Sequence, residues 1–153
     1  MRKLELIIPP VVLMGIFAIG MWLLSVQLPK QALFANGSTL AAATIAMIGV
    51  IIALSGVQAF RKASTTVNPL EPQEASTLVN TGVYRITRNP MYLGFLLILV
   101  GFGVLLQSVY SLALCLGFIL YMNRFQIEPE ERFLEAQFSN EFVQYKKEVR
   151  RWI

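Results

Sequence analysis

Arg88-Asn89-Pro90-Met91-Tyr92-Leu93-Gly94 and Glu128-Pro129-Glu130-Glu131 are two short polar islands, and from Asn89 to Asn123 no side chain is charged. That stretch is too long to cross a bilayer once as a straight helix and about right to cross it twice, since one crossing takes about 20 apolar residues. The two islands are therefore expected to meet on the same side of a membrane. There, fixed cations and helix-end amides would stand beside a pair of carboxylates, which suits a zwitterionic ligand.

The rest of the chain agrees with a membrane setting. Of 153 residues, 56% are hydrophobic and 14% charged, against about a quarter charged in a soluble domain. The net charge of +4 does not indicate nucleic acid, because the Lys and Arg residues fall in gaps between apolar runs and form no basic face. The one cysteine, Cys115, lies inside an apolar run and reads as a packing residue. There is no histidine and no aspartate, so every carboxylate side chain is one of nine glutamates. Histidine metal ligands, histidine bases and Ser/His triads are excluded, and no metal site is expected.

These features predict an all-α polytopic membrane bundle in one domain, 1–153. Four transmembrane helices are placed at about 6–28, 39–60, 91–106 and 109–124, with a cytoplasmic loop 61–90 and a C-terminal amphipathic cytoplasmic helix 129–150. Pro9 and Pro10 sit near the start of the first span, where a missing N–H costs least. That run is long for a signal peptide and lacks a prompt cleavage site. Asn36-Gly37 marks a turn between the first two spans. The third and fourth spans are short, and the tight link at Gln107-Ser108 predicts an antiparallel hairpin. Gly94, Gly101, Gly103 and Gly117 would let helices approach closely. Gly101-Phe102-Gly103 is no nucleotide motif, since no strand precedes it.

Orientation follows the basic residues. Arg2 and Lys3 precede the first span, while Arg61, Lys62, Arg85 and Arg88 fall between the second and third. Arg124, Arg132, Lys146, Lys147, Arg150 and Arg151 follow the fourth, and only Lys30 is on the other side. The positive-inside rule then puts both termini and the 61–90 loop, with its Thr65-Thr66, Pro69, Pro72 and Asn80-Thr81-Gly82, in the cytoplasm.

Asn89-Pro90 is a good helix start, Asn being a favoured N-cap and Pro a favoured first residue. The amides of Met91, Tyr92 and Leu93 would then face the interface with the positive end of the helix dipole, Arg85 and Arg88 beside them. Pro129 is expected to open another helix in the same way. Leu134, Phe138, Phe142, Tyr145 and Val149 recur at spacings of three and four, an amphipathic stripe. Glu131 projects onto that stripe, Glu130 flanks it, and Arg132 and Glu135 fall outside. An inward carboxylate has to be paired or liganded. One corner of this site favours a carboxylate and the other an ammonium group. S-adenosylmethionine has both, as do other zwitterions.

At this point the chain resembles the membrane methyltransferases that include isoprenylcysteine carboxyl methyltransferases and phospholipid N-methyltransferases. The matching stretches are Gly82 to Gly94, and Glu130-Glu131 through Leu134, Phe138 and Tyr145 to Arg151-Trp152-Ile153. The resemblance covers roughly 60–153. It implies S-adenosylmethionine as methyl donor, with S-adenosylhomocysteine as its product. Arg88, Asn89, Pro90, Met91, Tyr92, Leu93 and Gly94 would hold the donor's polar end, and Glu130 and Glu131 its ammonium or ribose groups. A lipophilic acceptor would enter from the membrane lipids, with Arg85 or Arg151 positioning its carboxylate. Isoprenylcysteine enzymes commonly have Arg-His-Pro where this chain has Arg88-Asn89-Pro90, a form closer to phospholipid-methylating and bacterial members, which implies a bacterial cytoplasmic membrane. Ser139 replaces a usual Gly and Phe142 a usual Tyr.

The missing histidine bears on the acceptor. A carboxylate or thiolate attacks already deprotonated, whereas an ammonium must first lose a proton to Glu, Tyr, Lys or water. This favours carboxyl or thiol methylation over amine methylation. Two other readings stand beside it: a nicotinamide-dependent membrane reductase, whose relatives are longer and carry Arg-His-Pro-Asn-Tyr, and a non-catalytic membrane interaction protein.

Overall fold

The computed structural model describes residues 5–29, 38–63, 68, 70 and 76–153. Arg2, Lys3, Lys30, the Asn36-Gly37 turn, Thr65-Thr66, Pro69 and Pro72 lie outside the described residues. Five α-helices follow in order: α1 Pro10–Gln27, α2 Ser38–Lys62, α3 Pro90–Leu105, α4 Val109–Tyr121 and α5 Glu128–Glu148. A 3-10 turn, Gly82–Arg85, precedes α3, and a π-helical turn, Met122–Ile127, joins α4 to α5. No strand occurs among the described residues. Helix α1 and residues Thr39–Lys62 of α2 are long and apolar enough to cross a membrane, whereas α3 is shorter.

Helices α2 and α3 meet backbone to backbone. A Cβ added to Gly94 would lie 2.5 Å from the Gly49 carbonyl oxygen, and one on Gly49 would lie 2.6 Å from that of Gly94. Seven residues further along α3, a Cβ on Gly101 would lie 2.7 Å from the Ala42 carbonyl oxygen. The α2 face is a stripe of small residues, Ala42, Ala46, Gly49, Ala53 and Gly56, spaced alternately four and three. Small residues allow this close approach, and in a bilayer it replaces the hydrophobic drive between helices.

Helices α3 and α4 form the expected hairpin. Gln107 takes the turn at φ 53°, and Ser108 caps α4 by accepting from the Ser111 amide at 3.2 Å. Helix α1 lies against α4: the Ser111 hydroxyl donates to the Met21 carbonyl at 2.8 Å, and Phe17 meets Phe118 edge to face. Gly103 and Gly117 allow contacts with Leu112 and Phe17. Cys115 is buried in this core. The outer faces of α1, α2 and α4 expose large apolar side chains, among them Ile19, Trp22, Leu40, Ile51, Leu54, Leu116 and Leu120.

Pro129 stands in the first turn of α5, as expected, but that turn is not a free helix end. The residue before the proline-bearing turn, Ile127, is itself right-handed helical, and the chain runs from Val109 through the π turn into α5 without a break. A proline inside a helix removes one N–H and orphans the carbonyl four residues earlier. Here that carbonyl, Phe125, accepts from the Leu6 amide at 3.0 Å. The π turn widens the helix where the proline enters, with the Glu128 amide reaching the Asn123 carbonyl. The early glutamates of α5 therefore do not decorate a free helix end.

The predicted stripe is the buried face of α5. Phe142, Tyr145 and Val149, with Leu134 and Phe138 at its edge, pack on Leu78, Val79 and Tyr84 and on Phe60 at the end of α2. The second half of the predicted 61–90 loop is thus bound to α5. The helix kinks once, at Ser139, whose φ of 44° and ψ of −116° belong to glycine territory.

Candidate functional site

The two islands are in direct contact. Arg88 donates from Nη2 to Glu131 Oε1 at 2.7 Å. Arg151 donates from Nη2 to Glu131 Oε2 at 2.6 Å and from Nε to Oε1 at 3.2 Å. Glu131 is thus held by two guanidiniums, and its side chain is 15% exposed. Burial alone would raise its carboxyl; the hydrogen bonds and charges of Arg151, then Arg88, outweigh this and hold it below the usual carboxylate range. Glu131 in turn raises the Arg151 guanidinium further.

Arg88 also binds the C-terminal segment. Its Nη1 donates to the carbonyls of Lys146 and Val149 at 3.1 and 2.8 Å, and its amide donates to the Arg150 carbonyl at 3.0 Å. Asn89 Nδ2 and the Thr87 hydroxyl both donate to the Arg151 carbonyl, at 2.9 and 3.3 Å. Asn89 occupies the N-cap position of α3, but its side chain makes no capping bond. The expected cap is replaced by a tie to the tail, because the amide nitrogen can donate to Arg151 while a capping oxygen could only accept. Trp152 adds a donation to Asn123 Oδ1 at 3.0 Å.

Glu130 turns the other way. Its Oε1 accepts from the Tyr92 hydroxyl and from Gln126 Nε2, both at 2.5 Å. Among the described residues no hydrogen bond reaches Oε2. Glu130 was expected to flank the buried face; instead it is engaged as deeply as Glu131, between α3 and the π turn, which rotates the start of α5 toward Tyr92. Burial pushes its carboxyl up to about 7; the hydrogen bonds from Tyr92 and Gln126 oppose the rise and the charge of Glu131 adds to it.

The remaining sequence candidates divide. Pro90, Leu93 and Gly94 are buried, and Gly56 and Gly49 of α2 abut Pro90, Met91 and Gly94. Within 88–94, the side-chain polar groups come from Arg88, Asn89 and Tyr92. Arg85 is exposed, and no hydrogen bond or ion pair engages it among the described residues. It lines an open cleft of about 690 Å³ with Asn80, Glu141, Gln144, Tyr145, Glu148 and Val149. Arg132 and Glu135 lie outside as expected, on Glu5 and Lys146. Sequence reasoning missed Gln126, Thr87, Asn123 and the Tyr145 hydroxyl, which donates to the Tyr84 carbonyl at 2.6 Å. Burial raises both of these tyrosines. The spacing of Gln126 four residues before Glu130 was the available signal.

A family model described as phospholipid methyltransferase matches residues 38–141. The chain is 43% identical over 63 residues to an uncharacterised protein of Haemophilus influenzae, 41% of this chain and 100% of that protein. It is 30% identical over 109 residues to protein-S-isoprenylcysteine O-methyltransferase B of Arabidopsis thaliana, 69% of this chain and 54% of that one. It is 40% identical over 75 residues to protein-S-isoprenylcysteine O-methyltransferase of Saccharomyces cerevisiae, 47% and 30% respectively. The chain thus spans about half the length, or less, of these two named relatives. No solved structure matches. The chain belongs to the phospholipid methyltransferase family, which supports the methyltransferase reading.

Proposed function

We propose that this family member is an integral membrane methyltransferase that uses S-adenosylmethionine and modifies a lipophilic acceptor at the cytoplasmic interface. The observation that carries this reading is the junction of the two islands at one end of an apolar hairpin, Arg88 on Glu131 and Tyr92 on Glu130. In this reading α1, α2, α3 and α4 all cross the bilayer, with both termini on the cytoplasmic side of a bacterial membrane. The exposed apolar faces of α1, α2 and α4 would meet the membrane lipids, from which the acceptor enters.

The residues present fit the donor. Arg88 Nε is buried and has no acceptor among the described residues, and by position the Met91 and Tyr92 amides lack intrahelical acceptors. These groups suit the carboxylate of an amino-acid moiety. Glu130 Oε2 is open to a donor group. When bound, the donor supplies an electrophilic methyl group. Glu131 holds Arg88 and Arg151 in place rather than offering a free acceptor. With Arg151 so engaged, Arg85 is the cation available to position a carboxylate.

The relatives' names support carboxyl O-methylation. A second reading, transfer to a lipid amine, is favoured by one observation, a Glu130 carboxylate held by Tyr92 and Gln126 while both nearby arginines are engaged on Glu131. The test is titration of the purified, folded protein in nanodiscs with S-adenosylhomocysteine, read by calorimetry. Saturable binding is expected, and its absence sinks the proposal.

A further inference from the structure

We propose that Glu5, on the segment before α1, is a positioning residue for donor binding: it straps that segment across the π turn and so holds Glu130 against Tyr92. This rests on the methyltransferase reading above, in which Glu130 belongs to the donor site.

Glu5 is the only acidic residue before Glu71, and the pattern of spans does not account for it. Its side chain is 12% exposed, and both of its oxygens are used. Oε1 accepts from Arg124 Nη1 at 3.2 Å, and Oε2 accepts from Arg132 Nη2. The next residue, Leu6, turns at φ 58° and donates its amide to the Phe125 carbonyl at 3.0 Å. A left-handed leucine is strained and persists only where its surroundings hold it. Ile8 then packs on the core cluster that includes Tyr92, Met122 and Ile127. The segment is thus fixed by an ion pair, a backbone bond and an apolar anchor.

The place where it is fixed decides what it does. Arg124 and Phe125 lie in the π turn Met122–Ile127, and Arg132 lies in α5. One carboxylate therefore spans the point where the helical register changes. A π turn holds one residue more than an α turn. Successive helical residues are about 100° apart, so relaxing the turn to α would rotate α5 by about that angle against α4. Glu130 would then leave the Tyr92 hydroxyl on α3, with which Gln126 shares its Oε1. Phe125 offers the carbonyl that Pro129 cannot serve, and Leu6 supplies its donor from outside the helix. Arg124 also reaches Glu128 at 3.4 Å, a bond within the same stretch that does not bring in another element. Glu130 is assigned to the donor's ammonium or ribose groups, so donor affinity is the quantity through which the strap acts.

The test is calorimetric titration of the whole protein in nanodiscs with S-adenosylhomocysteine. Glu5→Gln should weaken binding about fivefold, and Glu5→Asp should recover part of the loss. In a Glu130→Gln background the same Glu5→Gln change should cost less than about twofold, because the residue through which it acts is already lost. Without any ligand, hydrogen exchange in Glu5→Gln should quicken at the amides of Leu6 and of 122–131, while α2 and α3 keep their protection. Wild-type affinity in Glu5→Gln, or an equal loss in both backgrounds, overturns the proposal. So does exchange that rises throughout the bundle, which marks a general loss of stability. Failure of the wild type to bind S-adenosylhomocysteine overturns the donor reading instead, and the exchange experiment then still decides whether Glu5 holds the π turn.

Discussion

Glu130 and Glu131 are adjacent in sequence and belong to two different regions of the molecule. Glu131 sits in a clamp of guanidiniums and tail carbonyls between α3, α5 and the C-terminal segment. Glu130 sits in a notch between α3 and the π turn, met by one hydroxyl and one amide. The same functional group is held charged in the first and pushed toward its neutral form in the second.

The clamp side breaks first. Arg88→Ala strips one partner from Glu131 and two carbonyls of their donor, with Arg88 and Glu131 only 11% and 15% exposed. Removing one member of a buried pair costs about 3 kcal/mol, so urea unfolding in micelles should show a loss of that order; a loss under about 1 kcal/mol would make the clamp decorative. Next comes ligand affinity. Glu131→Gln should weaken S-adenosylhomocysteine binding about tenfold or more, roughly 1.4 kcal/mol; unchanged affinity would refute a role for the clamp in holding the donor.

Stability against pH separates them by sign. The Glu131 carboxyl is lowered, so its contribution is present above its unfolded pKa and is lost as pH falls through the folded one. The Glu130 carboxyl is raised, so its contribution is present below the unfolded pKa and is lost as pH rises through about 7. Between pH 6 and 8 the wild type should lose about 1 kcal/mol, and Glu130→Gln should abolish that loss. A melting temperature flat across this window would remove the notch from the comparison. The smallest expected change is at the kink that turns the second half of α5 toward Arg88. Ser139 holds φ 44°, and Ser139→Gly should stabilise by about 1 kcal/mol or somewhat less, measured by the same unfolding experiment.

Much of this arrangement was legible in the residues. The charge-free interval predicted the hairpin, the spacing of Leu134, Phe138, Phe142 and Tyr145 predicted the buried face of α5, and inward placement of Glu131 followed from that face. Pro129 left the continuity of the helix undecided, because proline at a free helix start and proline just after a π turn have the same local sequence. The difference lies in Leu6, whose amide takes the Phe125 carbonyl from more than a hundred positions away. Asn89 misled because a cap and a donor to a distant carbonyl use the same side chain. The stripe Ala42, Ala46, Gly49, Ala53 and Gly56 was readable as a small-residue face, but nothing local says that it meets Gly94 and Gly101. Hydrophobic periodicity reports which face is buried; it does not report which polar atoms become partners there.

The ties from Arg88, Thr87 and Asn89 to the carbonyls of Lys146, Val149, Arg150 and Arg151 also set an order of assembly during translation. The hairpin leaves the ribosome well before the segment that completes its polar end. A chain halted before Lys146 would have all of α1 to α4 and most of α5, and would still leave those donors without their acceptors. The site is therefore coupled to near-complete synthesis of this stretch, so helices can insert and pair while the charged machinery is still unassembled.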